Sequence, residues 1–267
     1  MPSFGSYLQG KRILVTRAKE QAESFSKKIA EYGGIAIEIP LIKIQAPSNT
    51  DVIEKTLQKI HTYNWLIFTS VNGVHYFFDF IETYGITFSE TNRPKIAVVG
   101  KKTLQALEQK GFSAELVPDD FVAEDLLEKL KKRVNNNEAI LLARGNLGRS
   151  LLPEKLGEIG IQVDDLILYE NVLNLEKQAE LIHLLESRSV DIITFTSSST
   201  VTNFVELLKG TAGWREWLHH IQIACIGPIT EKTAIEAGIT PQIVANEYTV
   251  AGLLDAIITK YWQEELR

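Results

Sequence analysis

Polar and apolar positions alternate along this chain in two distinct rhythms. Short, largely apolar runs rich in β-branched residues predict buried strands at Ile13–Val15, Ile35–Ile39, Trp65–Phe68, Ile96–Val99 and Glu115–Val117. A second set follows at Ile140–Leu142, Gln162–Leu168, Ile192–Phe195, Ile223–Ile226 and Gln242–Val244. Between them, apolar residues recur three and four apart, as at Leu126, Leu127 and Leu130, and predict helices. These cover Gln21–Tyr32, Gly73–Tyr84, Thr103–Lys110, Ala123–Lys132, Ser150–Ile159, Thr200–Leu208, Thr230–Ala237 and Val250–Gln263. Several close on glycine (Tyr32-Gly33, Lys110-Gly111, Ala237-Gly238), the usual left-handed stop of a helix. Strands alternating with helices of this length imply parallel sheets covered on both faces, an α/β fold.

The two sets of strands are copies. Arg17 aligns with Arg144, 127 positions on, and the same offset carries Phe68-Thr69-Ser70 onto Phe195-Thr196-Ser197 and Gly100 onto Gly227. A register kept over the whole length implies two similar doubly wound lobes with a cleft between them. Ile37–Ala46 and Leu166–Leu173 are equivalent and long for single strands, so each is expected to leave its lobe and pair with its twin. One lobe is then built from both chain ends.

Composition narrows the classes. At 267 residues with 45% hydrophobic content the chain can bury a large core, and no apolar run is long enough to span a bilayer. The opening Met1-Pro2-Ser3-Phe4-Gly5-Ser6 lacks the pattern of a secretory signal, and the lone Cys225 excludes an internal disulfide framework. Both fit a cytoplasmic protein; Cys225 reads as core filler or as a reactive thiol. A net charge of −6 argues against nucleic-acid binding.

In a doubly wound sheet ligands bind beyond the C-terminal strand ends. There the chain places Thr69-Ser70-Val71-Asn72-Gly73 and Thr196-Ser197-Ser198-Ser199-Thr200, which read either as helix caps or as an anion site of hydroxyls and free amides. Gly100-Lys101-Lys102-Thr103 and Gly227-Pro228-Ile229-Thr230 sit likewise. Arg17 and Arg144, just past their strands, are either forks for a carboxylate or salt bridges at strand ends, and Arg149 is a further helper. The five histidines show no metal-ligand spacing, and there is no phosphate loop, dinucleotide fingerprint or nucleophile elbow. Tyr169, on the long segment, is the candidate proton donor, its alternative being a structural role.

Taken in order, Ile13-Leu14-Val15-Thr16-Arg17, Phe68-Thr69-Ser70-Val71-Asn72-Gly73, Val98-Val99-Gly100, Phe121-Val122-Ala123-Glu124, Leu168-Tyr169-Glu170, Phe195-Thr196-Ser197-Ser198, Ala224-Cys225-Ile226-Gly227-Pro228 and Tyr248-Thr249-Val250-Ala251-Gly252-Leu253 resemble uroporphyrinogen-III synthases over nearly the whole chain. The resemblance implies two flavodoxin-like lobes joined by a two-stranded β ladder. Residues 1–40 plus 174–267 would form one lobe and 45–168 the other, with 41–44 and 169–173 as the strands between them. It implies cyclisation of the linear tetrapyrrole hydroxymethylbilane to uroporphyrinogen III, with inversion of ring D and loss of water and with no metal or organic cofactor. Carried over by motif, Tyr169 is the catalytic donor. The substrate donors are Ser70, Asn72, Gly100, Lys101 and Ala123 in one lobe, and Arg17, Thr196, Ser197, Ser198, Gly227, Thr230 and Thr249 in the other; Arg144 joins them from its place at a strand end. A monomer follows, with room for a transient contact with the preceding pathway enzyme and with neither nucleic acid nor membrane as partner. The rivals are a non-catalytic two-lobed binder of an anionic metabolite and a nucleotide-dependent transferase.

Overall fold

The computed structural model describes residues 7–135 and 137–265; the opening segment 1–6 and Asn136 lie outside the described residues. In chain order the first elements are β1 (Arg12–Val15), α1 (Lys19–Glu31), β2 (Ile35–Glu38), β3 (Ile42–Gln45), α2 (Asp51–Gln58), β4 (Trp65–Phe68), α3 (Val71–Thr83), β5 (Lys95–Val98), α4 (Lys101–Gln109) and α5 (Ala123–Lys131). There follow β6 (Ala139–Gly145), α6 (Leu151–Gly157), β7 (Gln162–Leu173), α7 (Gln178–Glu186), β8 (Ile192–Phe195), α8 (Ser198–Leu208), α9 (Trp214–Trp217), β9 (Gln222–Cys225), α10 (Pro228–Glu236), β10 (Ile243–Val244) and α11 (Val250–Glu265). The chain divides into two compact units, Met1–Lys43 with Val172–Arg267, and Ile44–Asn171.

The first unit carries the parallel sheet β10-β9-β8-β1-β2, and the second sheet runs β3-β7-β6-β4-β5. The pairs β7–β6, β6–β4 and β4–β5 are parallel as well, and Leu116 adds a single parallel bridge to Ala97 beyond β5. Matched through the repeat, both sheets have the doubly wound order 2-1-3-4-5. Neither unit is one copy, however. The first takes β1 and β2 from the first copy and β8, β9 and β10 from the second; the second unit takes β4 and β5 from the first copy and β6 and β7 from the second.

Strand alternation explains the continuous apolar runs. Leu14 faces a core with Leu181, Leu185, Val201 and Phe204 from α7 and α8, while Ile13 and Val15 face Phe25, Ile29, Leu253 and Ile257 from α1 and α11. In the second unit Leu66 and Phe68 pack with Val74, Phe77 and Leu107, and Trp65 and Ile67 with Leu126, Leu130 and Leu156. Both faces are covered, so a polar residue on either face would be buried. Truncating a fully buried ring such as Phe25 or Phe77 to Ala costs about 3–5 kcal/mol. Gly33, Gly111, Gly160 and Gly238 hold φ of 81°, 86°, 79° and 76°, as the helix-stop reading expects.

Some expectations need correction. Ile37–Ala46 is not one strand: the chain breaks at Ile39-Pro40-Leu41 into β2 and β3, because Pro40 has no N–H to give a ladder. Its twin does run unbroken, as the 12-residue β7. Glu115–Val117 forms only the bridge at Leu116. Helices α2, α7 and α9 are additions to the elements read from the pattern. Cys225 is fully buried, and burial, with Glu231 adding to it, pushes its thiol up to about 12, so it is core filler.

Candidate active site

Each unit presents the C-terminal ends of its own strands. In the first unit two threonines fasten β1 to β8. Thr16 Oγ1 donates to the Thr194 carbonyl (2.7 Å), and Thr194 Oγ1 donates to that of Leu14 (2.8 Å). Arg17 leaves the sheet from this anchored point. Its Nη2 donates to Gln21 Oε1 (2.8 Å), one turn into α1. Its buried Nε has no partner, and no carboxylate pairs with it among the described residues. Burial lowers the guanidinium pKa, the mark of a cation that has lost water without gaining an anion.

Beside Arg17 lies a hollow of about 200 Å³ walled by Gln21, Ile42, Thr196, Ser197, Ser199 and Asn203. Ser197 N-caps α8: its Oγ accepts from Thr200 N (3.2 Å) and its own N–H reaches Thr200 Oγ1 (3.2 Å). The amides of Ser198 and Ser199 belong to the first turn, which intrahelical bonding leaves over. A cation, hydroxyls and a helix start together suit a carboxylate. A larger hollow of about 380 Å³ runs along α11, but Glu247 and Asp255 on its wall oppose an anion.

Elsewhere in this unit Ser198 Oγ accepts from Thr233 Oγ1 (2.8 Å), Thr230 is buried, and exposed Thr249 accepts the Gly252 amide (3.0 Å) at the start of α11. Gly227 caps α10; a Cβ there would lie 2.8 Å from the ring of Tyr248, so it is glycine for space.

In the second unit the equivalent corner is filled. Arg144 Nε and Nη2 close a fork on Asp165 (2.6 and 2.5 Å), and Nη1 donates to the Gly148 carbonyl. Asp165 raises the guanidinium pKa, and Arg144 is 8% exposed. Of its two readings, Arg144 takes the salt bridge: both faces of the fork are occupied, which leaves none for a ligand. Arg149 is likewise engaged, by Glu124 (2.6 and 3.1 Å).

The β6–β7 register slips between Arg144 and Gly145, which pairs with Tyr169. The Tyr169 ring lies across Gly145, where a Cβ would run into Cζ, and stacks on Tyr76 with centroids 5.5 Å apart. Its hydroxyl is 3.0 Å from Ser70 Oγ, which caps α3 by accepting from Gly73 N (3.0 Å). Asn72 lies half-buried in the same first turn. Gly100 caps α4, where a Cβ would meet Thr103 Oγ1 at an ordinary 3.6 Å; Lys101 is exposed, and half-buried Ala123 begins α5.

The structure thus brings Arg17 together with Thr196 and Ser197, and Ser70 together with Tyr169. Gln21, Asn203, Asp165, Gly145 and Tyr76 were missed. The signals available were the four-residue spacing from Arg17 to Gln21 and the glycine directly after Arg144. Among the described residues no three His, Cys, Asp or Glu side chains are grouped to hold a metal ion.

Fold and corners define a class: a pair of doubly wound α/β units with polar, hydroxyl-rich strand ends and an arginine that no described carboxylate pairs. Residues 23–255 match the family model described as Uroporphyrinogen-III synthase HemD, and the chain belongs to that family. It is 32% identical over 252 residues to a uroporphyrinogen-III synthase of Synechococcus elongatus, covering 94% of this chain and 95% of the other. A porphyrin biosynthesis protein HemD of Ruminiclostridium josui is 27% identical over 94% of this chain, which spans only 49% of that longer protein. Among solved structures, a mutant uroporphyrinogen III synthase from the extremely thermophilic bacterium Thermus thermophilus superposes with a TM-score of 0.59 at 18% identity, covering 96% of this chain and 100% of the other, so the fold is shared.

Proposed function

We propose that this protein is a uroporphyrinogen-III synthase that closes hydroxymethylbilane into uroporphyrinogen III with inversion of ring D and loss of water. Family membership supports the reaction. The observation that carries the site is the half-buried Arg17, unmatched by a described carboxylate and set beside a hollow of hydroxyls. The bilane brings eight carboxylates, and such a corner takes one without a basic surface.

On this reading the pyrrole nitrogen pushes hydroxide from the terminal carbon, and Tyr169 gives it a proton so that it leaves as water. A donor so placed contributes about 10²–10⁴-fold. The resulting azafulvene is attacked by the substituted carbon of ring D, and the spiro intermediate rearranges. Free in water the bilane closes at its unsubstituted position, so the protein's larger task is holding the bilane bent. The proposed donors for the carboxylates are Arg17, Thr196, Ser197, Ser198, Gly227, Thr230 and Thr249, together with the main-chain N–H of Ser70, which an alanine there would keep, and Asn72, Gly100, Lys101 and Ala123. The lobe limits expected from the resemblance, a monomeric state and a cytoplasmic location belong to the same proposal; no described helix is long and apolar enough to cross a membrane.

The test is to incubate the protein with fresh hydroxymethylbilane and separate the isomers. Type III product above the spontaneous rate is expected; type I alone, at the spontaneous rate, overturns the reading.

A further inference from the structure

Ser70 has three hydrogen-bonding positions, one O–H and two lone pairs. One lone pair receives the Gly73 amide at the start of the 13-residue α3. The remaining contact joins Ser70 Oγ to Tyr169 Oη at 3.0 Å, a distance that allows either atom to donate. The two directions differ in consequence. If Tyr169 donates, its proton is tied up in the protein. If Ser70 donates, the tyrosine proton is free to be handed on. A hydroxyl that already accepts an N–H becomes a better donor, and the helix start places positive potential behind it. Both effects favour donation by Ser70.

We propose that Ser70 is a positioning residue for the proton donor: held by the Gly73 amide, it donates to Tyr169 Oη, turns the phenol proton outward and steadies the oxygen when that proton is given up. This rests on Tyr169 being the donor. Gly145 completes the device from below. Only a residue without Cβ lets the ring lie across β6, and Tyr76 holds the other face. The repeat underlines the construction, because the counterparts of Tyr169, Gly145 and Tyr76 are Ile42, Ala18 and Asn203, with no aromatic device at all.

In the step itself the C–O bond of the hydroxymethyl group breaks, its electron pair goes to oxygen, and the Tyr169 proton joins it to release water. The pyrrole nitrogen supplies the pair for the new exocyclic double bond. The phenolate, accepting from Ser70, regains its proton from the ring carbon that loses one as the macrocycle rearomatises. Ser70 keeps its own proton throughout.

The experiment measures kcat and KM for Ser70→Ala, Ser70→Thr, Gly145→Ala and Tyr169→Phe on two substrates. One is hydroxymethylbilane; the other is the bilane bearing an ammonium group in place of the terminal hydroxyl, which leaves without needing a proton. Ser70→Ala should lower kcat about tenfold on the first with KM within about twofold, and should be near wild type on the second. Ser70→Thr should restore most of the loss, and Gly145→Ala should resemble Tyr169→Phe. Equal losses on both substrates, or full kcat for Ser70→Ala on hydroxymethylbilane beside a crippled Tyr169→Phe, overturn the role of Ser70. Full kcat for Tyr169→Phe overturns the reading of the tyrosine beneath it.

Discussion

At the end of β1, Arg17 stands over a polar hollow with a buried Nε unused. At the end of β6, its counterpart Arg144 is locked onto Asp165 and the same corner is packed with the rings of Tyr169 and Tyr76. The acid that fastens Arg144 has its own counterpart in Glu38, which turns instead to Ser26 on α1 (2.5 Å). The residue equivalent to Ser26 is Pro153, which has no hydroxyl to divert Asp165. One duplicated corner leaves its guanidinium without a described carboxylate, and the other holds it in a salt bridge beside the Tyr169 ring. Duplication supplies two equivalent places, and on the proposed function small differences in side-chain partners divide the labour between binding and chemistry.

The sharpest way to break this division is at the hydroxyl. Tyr169→Phe should cut kcat on hydroxymethylbilane by about 100-fold while leaving the melting temperature nearly unchanged. Turnover close to wild type would leave the tyrosine as packing and the two corners without distinct duties.

Next comes the crossed pair of arginine variants. Arg17→Ala should raise KM roughly 10–100-fold, the worth of a charge-assisted hydrogen bond at about 1.5–3 kcal/mol, with little loss of stability. Arg144→Ala should do the reverse, lowering thermal stability by unpairing Asp165 with only a small change in KM. Equal effects on KM would erase the contrast.

The hollow can also be converted. Ile42→Tyr combined with Ala18→Gly gives the first corner the aromatic and the glycine of the second. If space beside Arg17 receives a carboxylate, KM should rise on the order of tenfold for the loss of one such contact. An unaltered KM would place the anion elsewhere.

The smallest expected effect concerns the opposite ends of the strands, where the twins are alike except in charge. Asp191 Oδ2 accepts from Arg12 N (2.7 Å), as Asn64 Oδ1 does from Ala139 N (2.9 Å). Glu115 accepts from Ile96 N (2.6 Å), as Gln242 does from Ile223 N (2.8 Å). The Arg12 side chain holds Asp191 below the usual carboxylate range. For Glu115, burial pushes the other way, but Arg93 and the Ile96 amide outweigh it and hold the carboxyl low. A depressed carboxyl stabilises the fold above its unfolded pKa, and that contribution disappears as the pH falls through the folded one. Asp191→Asn should therefore cost about 1 kcal/mol or less at neutral pH, because the pair is part-exposed and screened. The deficit should close as denaturation is repeated below about pH 4, the ordinary carboxylate range. A deficit that persists there would assign the effect to packing.

Strand positions, helix faces and glycine stops were legible because each depends on local pattern: a run as short and β-branched as Ile192–Phe195 fits a strand covered on both faces better than a helix. The repeat, too, lies open in the chain, and with it the expectation of two similar sheets. Less could be read at Ile37–Ala46, where a single Pro40 divides what apolar content alone joins. The candidate set was broad for a related reason. Hydroxyls at helix starts cap their own helices whether or not a ligand comes, as Ser197 and Ser70 both do.

Sequence by itself determined the doubled α/β pattern, its strand-end loops and a family likeness that rests on motif order. Only the tertiary structure showed that the segment Ile37–Ala46 breaks at Pro40 into two strands. It alone separated Arg17 from Arg144, two arginines in the same setting with an acid 21 positions further on. The reason is physical. Periodicity fixes which face a residue occupies, but the partner of a long charged side chain depends on which competing groups packing brings within about 3 Å of its head.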